Sequence, residues 1–540
     1  MGPRVAVIGG GPLGLIALRT FKQDGFDVTL YEGRSWVGGL WKPDADDALS
    51  ALESTRFNSS KYRSAMPDYP MPDDMDDFPT AGQLYTYFND YAEHFELWPH
   101  VRSNTKATEL SWTGEKWALS TVKNRKSQPV ELFDKVALAT GAFTRPRVPR
   151  LDGIELFVGP ADHCVKFYDP AKYRGHTVLI VGLHASAQDT VAALAGHATK
   201  TYTAHRSGLT LMPRYNSADG SVYDRMPSLN FTLFMMYLST LFPAVYTWMI
   251  DLILNSLSKK AYPNQPASWR LTPAPSLAVT TPLIASAIWP HLESGLCEPV
   301  AAVKRFVGPK SVELTNGQIL ENIDSVIYCT GYDAEVPVKL PDEIEPYPVR
   351  GEASSWYRHI FPIHPDSRLR NSIALCGHGA FPLPGFSQFF IQIHAISQIW
   401  LGNSSLPDLR GMETWRRKYR AWRQAVAKKY HARSTFYPFF VPMADYAAWI
   451  DRTAGIGIRE HFGVIGRWVN WCAWKVWWQD RELYNTCQSG LATPAVYALF
   501  DMGKRPAWPG ARQQIFADNA SAQRQQATRQ AAMKKEGKNE

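Results

Sequence analysis

The sequence predicts an α/β fold carrying two Rossmann-like dinucleotide-binding units. Three observations predict it. The apolar run Val5-Ala6-Val7-Ile8 enters the turn Gly9-Gly10-Gly11-Pro12-Leu13-Gly14. The run Val178-Leu179-Ile180-Val181 enters a second turn, Gly182-Leu183-His184-Ala185-Ser186-Ala187. Each turn is followed by a segment of helix length, so each unit reads strand, turn, helix. Two such turns in one chain point to two dinucleotides and to electron transfer between them.

The elements follow in order. Leu13 to about Asp24 is a helix closed by Gly25, and Asp27-Val28-Thr29-Leu30-Tyr31 is the next strand, ending at Glu32. Residues 42–82, rich in Pro, Asp and Ser, read as a long functional loop region. A helix is expected from Gln83 to about Leu97, then strands around 107–122, then Val136-Ala137-Leu138-Ala139 running into Thr140-Gly141. Pro146 to Pro149 reads as a linker, and the second strand–turn–helix spans 176–196 with a strand near Thr199–Ala204. The segment 229–257 is strongly apolar, but Pro243 and several Thr and Ser favour two helices over a membrane span. The strand Ser325-Val326-Ile327-Tyr328-Cys329 ends at Thr330-Gly331, and residues 411–430 are helical. From about Asn519 the Gln/Lys/Ala-rich chain is expected to fray. The stripe Trp468, Trp471, Trp474, Trp477, Trp478 reads first as core packing and second as a membrane contact.

Bulk composition bounds the function. The 540 residues are 45% apolar and 20% charged, ordinary for a globular chain of two or three domains. Aromatics reach 13%, with 19 Trp, which suggests large buried or interfacial surfaces. The net charge of +8 concentrates near the C-terminus without interleaved aromatics, so no nucleic-acid partner is expected. Cys164, Cys297, Cys329, Cys376, Cys472 and Cys487 fall at no metal or redox spacing. That argues against a zinc site and a disulfide reductase, and it suits a reducing compartment. The N-terminal apolar run is four residues long and turns directly into Gly9, so it is a strand and not a signal peptide. The expected location is cytoplasmic or at the surface of the endoplasmic reticulum, and not secreted.

The two turns differ in chemistry. In the first, Gly9 permits the tight turn, Gly11 lets backbone approach a pyrophosphate, and Gly14 lets helix and strand pack closely. Glu32 stands where a carboxylate accepts hydrogen bonds from adenosine ribose hydroxyls and repels a 2′-phosphate, so this site takes FAD or NAD. Gly38-Gly39-Leu40-Trp41 resembles a flavin-associated motif. In the second turn two of three glycines are gone, His184 standing for the middle one and Ala187 for the last. The partner strand offers Arg206 in place of an acid, and a guanidinium can fork onto a 2′-phosphate. NADPH is therefore the expected second cofactor.

Between the turns lies Phe157-x-Gly159-x-x-x-His163-x-x-x-Phe167. It matches the FxGxxxHxxx(Y/F) fingerprint, and the chain is identified as resembling the flavin-containing monooxygenases. Asn58-Ser59-Ser60-Lys61, the stretch Met66 to Asp74, Thr330-Gly331-Tyr332 and Trp508-Pro509-Gly510-Ala511-Arg512 resemble further family motifs, so the similarity covers roughly residues 3–515. The related Baeyer–Villiger enzymes usually carry Trp at the last fingerprint position, where this chain has Phe167.

The resemblance implies a discontinuous FAD domain with the NADPH domain inserted into it. The division is 1–148 and 325–515 for FAD, 149–324 for NADPH with a helical insertion at about 215–290, and a polar tail at 516–540. It implies FAD reduced by NADPH, a C4a-hydroperoxyflavin, and oxygen transfer from O₂ to an amine or sulfide of a small molecule. Asn58 takes the place of the family's Asn beside flavin and nicotinamide. Ser59, Leu40, Trp41, Thr140, Gly141, Thr330 and Gly331 join Gly9, Gly10, Gly11, Pro12, Leu13, Gly14 and Glu32 as expected cofactor contacts. Gly182, Ser186, Ala187, Gln188, Asp189 and Arg206 are those expected for NADPH, and His163 is read as a structural link. Substrate-pocket walls are expected from 210–300 and from Phe381, Phe386, Phe389 and Phe390. Baeyer–Villiger oxidation of a ketone, an uncoupled NADPH oxidase and a membrane-associated cofactor-binding protein are the alternatives. Peripheral membrane contact through 229–257 and a dimer are both left open.

Overall fold

A computed structural model describes all residues except Met1, 44–48, 226–227, 380–384, 433–436, 464–467 and 537–540. Two five-stranded parallel sheets organise the chain. The first runs Ile373–Leu375, Lys135–Leu138, Arg4–Ile8, Asp27–Tyr31, Val101–Arg102. The second runs Ala161–His163, Ser325–Tyr328, Thr177–Val181, Lys200–His205, Cys297–Ala301. Central strands are covered on both faces, which is why they read as unbroken apolar runs rather than alternating ones. Val5, Ala6 and Val7 are fully buried, as are Val178, Leu179 and Ile180.

The chain builds most of the first sheet, then all of the second, and returns with Ile373–Leu375 to pair beside Lys135–Leu138. The two crossings touch each other. Arg145–Pro146, at the entrance to the expected linker Pro146 to Pro149, pairs antiparallel with Tyr332–Asp333. Asp333 accepts from Arg147 Nε at 2.8 Å and also pairs with Arg350, which fastens the crossing.

Three expectations change. Ser325–Tyr328, assigned by its position to the returning first unit, lies inside the second sheet between Ala161–His163 and Thr177–Val181. An apolar strand carries no mark of its partner, because strand pairing is nonlocal. The tail expected to fray is a helix, Ala511–Glu536. Ile515 and Ala522, seven apart, share a buried face. Arg524 pairs with Asp73 at 3.1 Å, and Arg529 bonds Asp77 and donates to the Gly220 carbonyl at 2.6 Å. The Trp stripe turns outward: Trp468, Trp471 and Trp478 are 80%, 73% and 70% exposed, with Trp471, Trp474 and Trp478 stacked along the helix Trp471–Gln479.

The apolar segment 229–257 folds as two helices, Leu229–Leu241 and Pro243–Ala261, broken at Pro243. Among the described residues no helix is long and apolar enough to cross a membrane.

Candidate active site

The first turn is built by close approach. Gly9 takes φ +107°, and a Cβ there would meet the Ala139 carbonyl oxygen at 2.5 Å. A Cβ on Gly14 would lie 1.8 Å from the Gly9 carbonyl oxygen, so the helix Pro12–Gln23 sits this near the strand only with glycine. Pro12 opens that helix, where its missing N–H costs nothing, and Leu13 lies against Gly377. A Cβ on Gly11 would come no closer than 3.7 Å to its one neighbour within 4 Å among the described residues, the Gly39 Cα, and Gly38 donates its N–H to the Gly10 carbonyl at 2.8 Å. Glu32 braces the turn: Oε2 accepts from Gly10 N–H at 2.6 Å and Oε1 from Arg34 N–H at 2.8 Å. A carboxylate keeps lone pairs for further donors after two such bonds. Thr140 Oγ1 is buried with no partner among the described residues, and a Cβ on Gly141 would meet nothing within 4 Å. An orphaned hydroxyl beside open space fits a nucleotide held at this turn.

The second turn is built differently. Gly182 takes φ +127°, with a Cβ excluded by the Cys329 carbonyl oxygen at 2.3 Å. His184 sits at φ −89°, a conformation that needs no glycine, and caps the helix Ala185–Leu194. Its Nε2–H donates to the Thr281 carbonyl at 3.2 Å, tying the turn to the helical insertion. The ring is exposed on the cavity side, and the crowding of the wall around it lowers its pKa against the opposing pull of that carbonyl. Ala187 and Gln188 are buried on the inner side of the helix, with Gln188 Oε1 left unpartnered among the described residues. Asp189 Oδ2 accepts from Thr55 Oγ1 at 3.0 Å, a bridge between the two units. Burial pushes the Asp189 carboxyl up to about 6, against the Thr55 hydrogen bond and the charge of Arg214. Arg206 follows the strand Lys200–His205, is exposed, and has no ion-pair partner among the described residues.

A cavity of about 2660 Å³ joins the two units. A single drug-sized ligand occupies roughly 300–1,000 Å³, so this space accepts a dinucleotide and a substrate together. Leu40, Trp41, Asn58 and Ser59 line it from the first unit, Gly182, Ser186, Asp189 and Arg206 from the second, and Thr330 and Gly331 from the crossing. Gly9 to Gly14, Glu32, Thr140 and Gly141 do not reach this wall, and neither do Ala187 and Gln188. The Asn58 carbonyl accepts from Tyr223 Oη at 3.1 Å, and neighbouring Ser60 N–H donates to the buried Asp224 at 2.7 Å. Those bonds fix the Asn58 backbone and leave its carboxamide without a partner among the described residues. His163 donates from Nε2 to the Gly331 carbonyl at 3.1 Å and accepts at Nδ1 from Val165 N–H at 3.2 Å. Both ring nitrogens are committed to backbone, as a structural link requires.

The aromatic wall is not where it is expected. Phe386 and Phe390 are core residues, Phe386 stacking on Phe57 at 5.4 Å, and Phe389 packs against the core without reaching the cavity. Phe381 lies outside the described residues. Among the aromatics that do line the cavity are Trp422, Tyr430, Tyr437, Phe439 and Phe440, and the two insertion helices add Phe231, Met235 and Tyr246. Sequence reasoning also misses the Thr55–Asp189 bridge and the meeting of Cys164 and Cys329 at the wall. Neither carries a local signal, because each joins residues far apart in the chain.

A family model described as flavin-binding monooxygenase-like matches residues 2–538. "Monooxygenase aurF" of Gibberella zeae is 31% identical over 536 residues, covering 96% of this chain and 98% of that one. The S-allyl-L-cysteine S-oxygenase of Allium sativum superposes with a TM-score of 0.60 at 18% identity, covering 96% and 99%. A cyclohexanone-bound cyclohexanone monooxygenase superposes with a TM-score of 0.59 at 15% identity, covering 85% and 98%. The chain therefore belongs to the flavin-binding monooxygenase-like family, whose members are FAD- and NADPH-dependent oxidoreductases.

Proposed function

We propose that the protein holds FAD at the first turn and NADPH at the second, and oxygenates a soft nitrogen or sulfur of an apolar small molecule. The observation that carries this reading is the single cavity shared by Asn58, the second turn and an apolar wall. FAD, when bound, supplies hydride acceptance and oxygen activation; the protein supplies position and a dry site. Gly11 and the N-terminus of Pro12–Gln23 receive the FAD pyrophosphate, and Glu32 the ribose. Leu40, Trp41, Thr140 and Gly141 border the flavin. Ser186 and Asp189 face NADPH, Gly182 permits the tight turn that presents them, and Arg206 takes the 2′-phosphate. Asn58 presents a carboxamide that both donates and accepts at the reacting region without bringing a titratable proton.

An apolar wall of this size suits a lipophilic xenobiotic or a natural-product intermediate. The outward side of the insertion helices carries Phe242 and Trp248, 57% and 64% exposed, with Lys259 and Lys260 at the end of the second helix. We read that side as a peripheral contact with an anionic lipid surface. Loss of vesicle co-sedimentation in a Phe242→Ser/Trp248→Ser double variant supports it, and unchanged co-sedimentation refutes it. The reaction is tested by NADPH consumption, corrected for hydrogen peroxide release, against a panel of amines, sulfides and ketones. Coupled consumption with amines or sulfides supports the proposal. Ester or lactone formation from ketones alone replaces it with Baeyer–Villiger chemistry, and peroxide equal to NADPH throughout replaces it with an oxidase.

A further inference from the structure

Two cysteines far apart in sequence meet at the cavity wall. The strands Ala161–His163 and Ser325–Tyr328 pair in parallel, with His163 opposite Tyr328. The next residue on each is a cysteine, Cys164 and Cys329. Paired strands lie about 4.8 Å apart, so the two cysteines leave the sheet as neighbours, Cys164 opening the short 3-10 helix Cys164–Lys166. Both line the cavity, Cys164 half-buried and Cys329 buried, and both are free thiols.

Their surroundings make them unequal. The Cys164 sulfur lies 3.9 Å from His163 Nδ1, and the Cys329 sulfur lies 3.6 Å from Thr190 Oγ1 on the helix Ala185–Leu194. The neighbouring Cys329 thiol, and then Ser186, pull Cys164 down against its burial. Cys329 is pushed up, by burial and by the neighbouring Cys164 charge. Tyr332 also faces Cys164, while Asp189 and Tyr173 face Cys329. By contrast burial pushes Cys297 up to about 11 and Cys376 and Cys487 up to about 12. A thiolate beside a protonated thiol is the arrangement of an attacking and a resolving cysteine.

We propose that Cys164 and Cys329 form a peroxide-reactive dithiol in the wall of the dinucleotide cavity. The Cys164 thiolate attacks one oxygen of hydrogen peroxide. An S–O bond forms, the O–O bond breaks, hydroxide leaves, and Cys164 becomes a sulfenic acid. The Cys329 sulfur then displaces that hydroxyl. An S–S bond forms, the S–O bond breaks, and water leaves with the Cys329 proton. The two sulfurs together lose two electrons and the peroxide gains them. The disulfide replaces a charged sulfur by a neutral one next to Ser186 of the second turn.

The test uses the full chain without NADPH, so it reads independently of turnover. After hydrogen peroxide and alkylation of free thiols, unreduced peptide mass spectrometry is expected to show a Cys164–Cys329 link that dithiothreitol reverses. In Cys329→Ser, Cys164 is expected to accumulate as a sulfenic acid captured by dimedone. In the unmodified protein, Cys164 alkylation is expected to stay flat from pH 8 to pH 6, where an ordinary thiol slows about seventyfold. Each of three results overturns the proposal: no link, with peroxide consuming Cys472 first; no dimedone adduct in Cys329→Ser; or an ordinary thiol profile at Cys164.

Discussion

Arg206→Ala tests the division of labour between the two turns. Arg206 ends the strand beside the second turn, where Glu32 ends the one beside the first, and no carboxylate neutralises it among the described residues. Its guanidinium is free to form charge-assisted bonds to a 2′-phosphate. A hydrogen bond to a charged group contributes about 1.5–3 kcal/mol, and each 1.4 kcal/mol is tenfold. Because Arg206 is exposed, the lower half of that range applies, and KM for NADPH should rise about ten- to fortyfold. NADH lacks the phosphate, so its KM should move by less than about twofold. The assay is steady-state flavin reduction with each nucleotide, on protein of matched flavin content. Equal effects on NADPH and NADH would remove Arg206 from the phosphate site and leave the cofactor preference without a residue.

Further predictions follow from the same geometry. Asn58→Asp keeps the flavin but puts a carboxylate in the cavity, so NADPH still bleaches the flavin while oxygenated product falls by about a hundredfold or more, on the scale of removing one transition-state hydrogen-bond donor. Normal product yield would show that the carboxamide takes no part. Gly14→Ala forces a Cβ against the Gly9 carbonyl, which costs about 1–3 kcal/mol and should leave purified protein short of flavin by absorbance; full flavin content and unchanged stability would contradict the close-approach argument. Asp189 is an acid whose folded pKa, about 6, lies above its ordinary 3.8, so its burial costs nothing at low pH and progressively more as pH rises from 3.8 through 6. Asp189→Asn should therefore gain stability over the parent between pH 4 and pH 7 by at most about 3 kcal/mol in urea unfolding; parallel pH curves would show the carboxyl is not desolvated.

The first unit was readable because everything that makes it is local: strand, three glycines, helix and Glu32 fall within about thirty residues, as this motif does. The second turn was readable for the same reason, although the role of His184 needed Thr281, which no sequence window joins to it. What escaped the sequence is nonlocal. The partner of Ser325–Tyr328, the Thr55–Asp189 bridge and the Cys164–Cys329 meeting depend on how the sheets are paired. The cysteines in particular showed no redox spacing because adjacency across parallel strands replaces adjacency along the chain. The Trp stripe is periodic, and periodicity defines one face of a helix without saying which way it turns. The C-terminal helix escaped because Gln, Ala, Arg and Lys are as suited to a helix as to a solvated tail. The acceptors that dock it, Asp73, Asp77 and Gly220, come from other segments.

Coupling of NADPH oxidation to oxygen transfer in the cavity lined by Leu40, Trp41, Asn58 and Ser186 is the core of the proposed function. It is tested most directly by supplying labelled dioxygen and NADPH to the flavin-loaded protein with a thioether substrate, and weighing the sulfoxide formed. One labelled oxygen atom is expected in the sulfoxide for each NADPH consumed. Unlabelled product, or NADPH consumption recovered entirely as hydrogen peroxide, would contradict it.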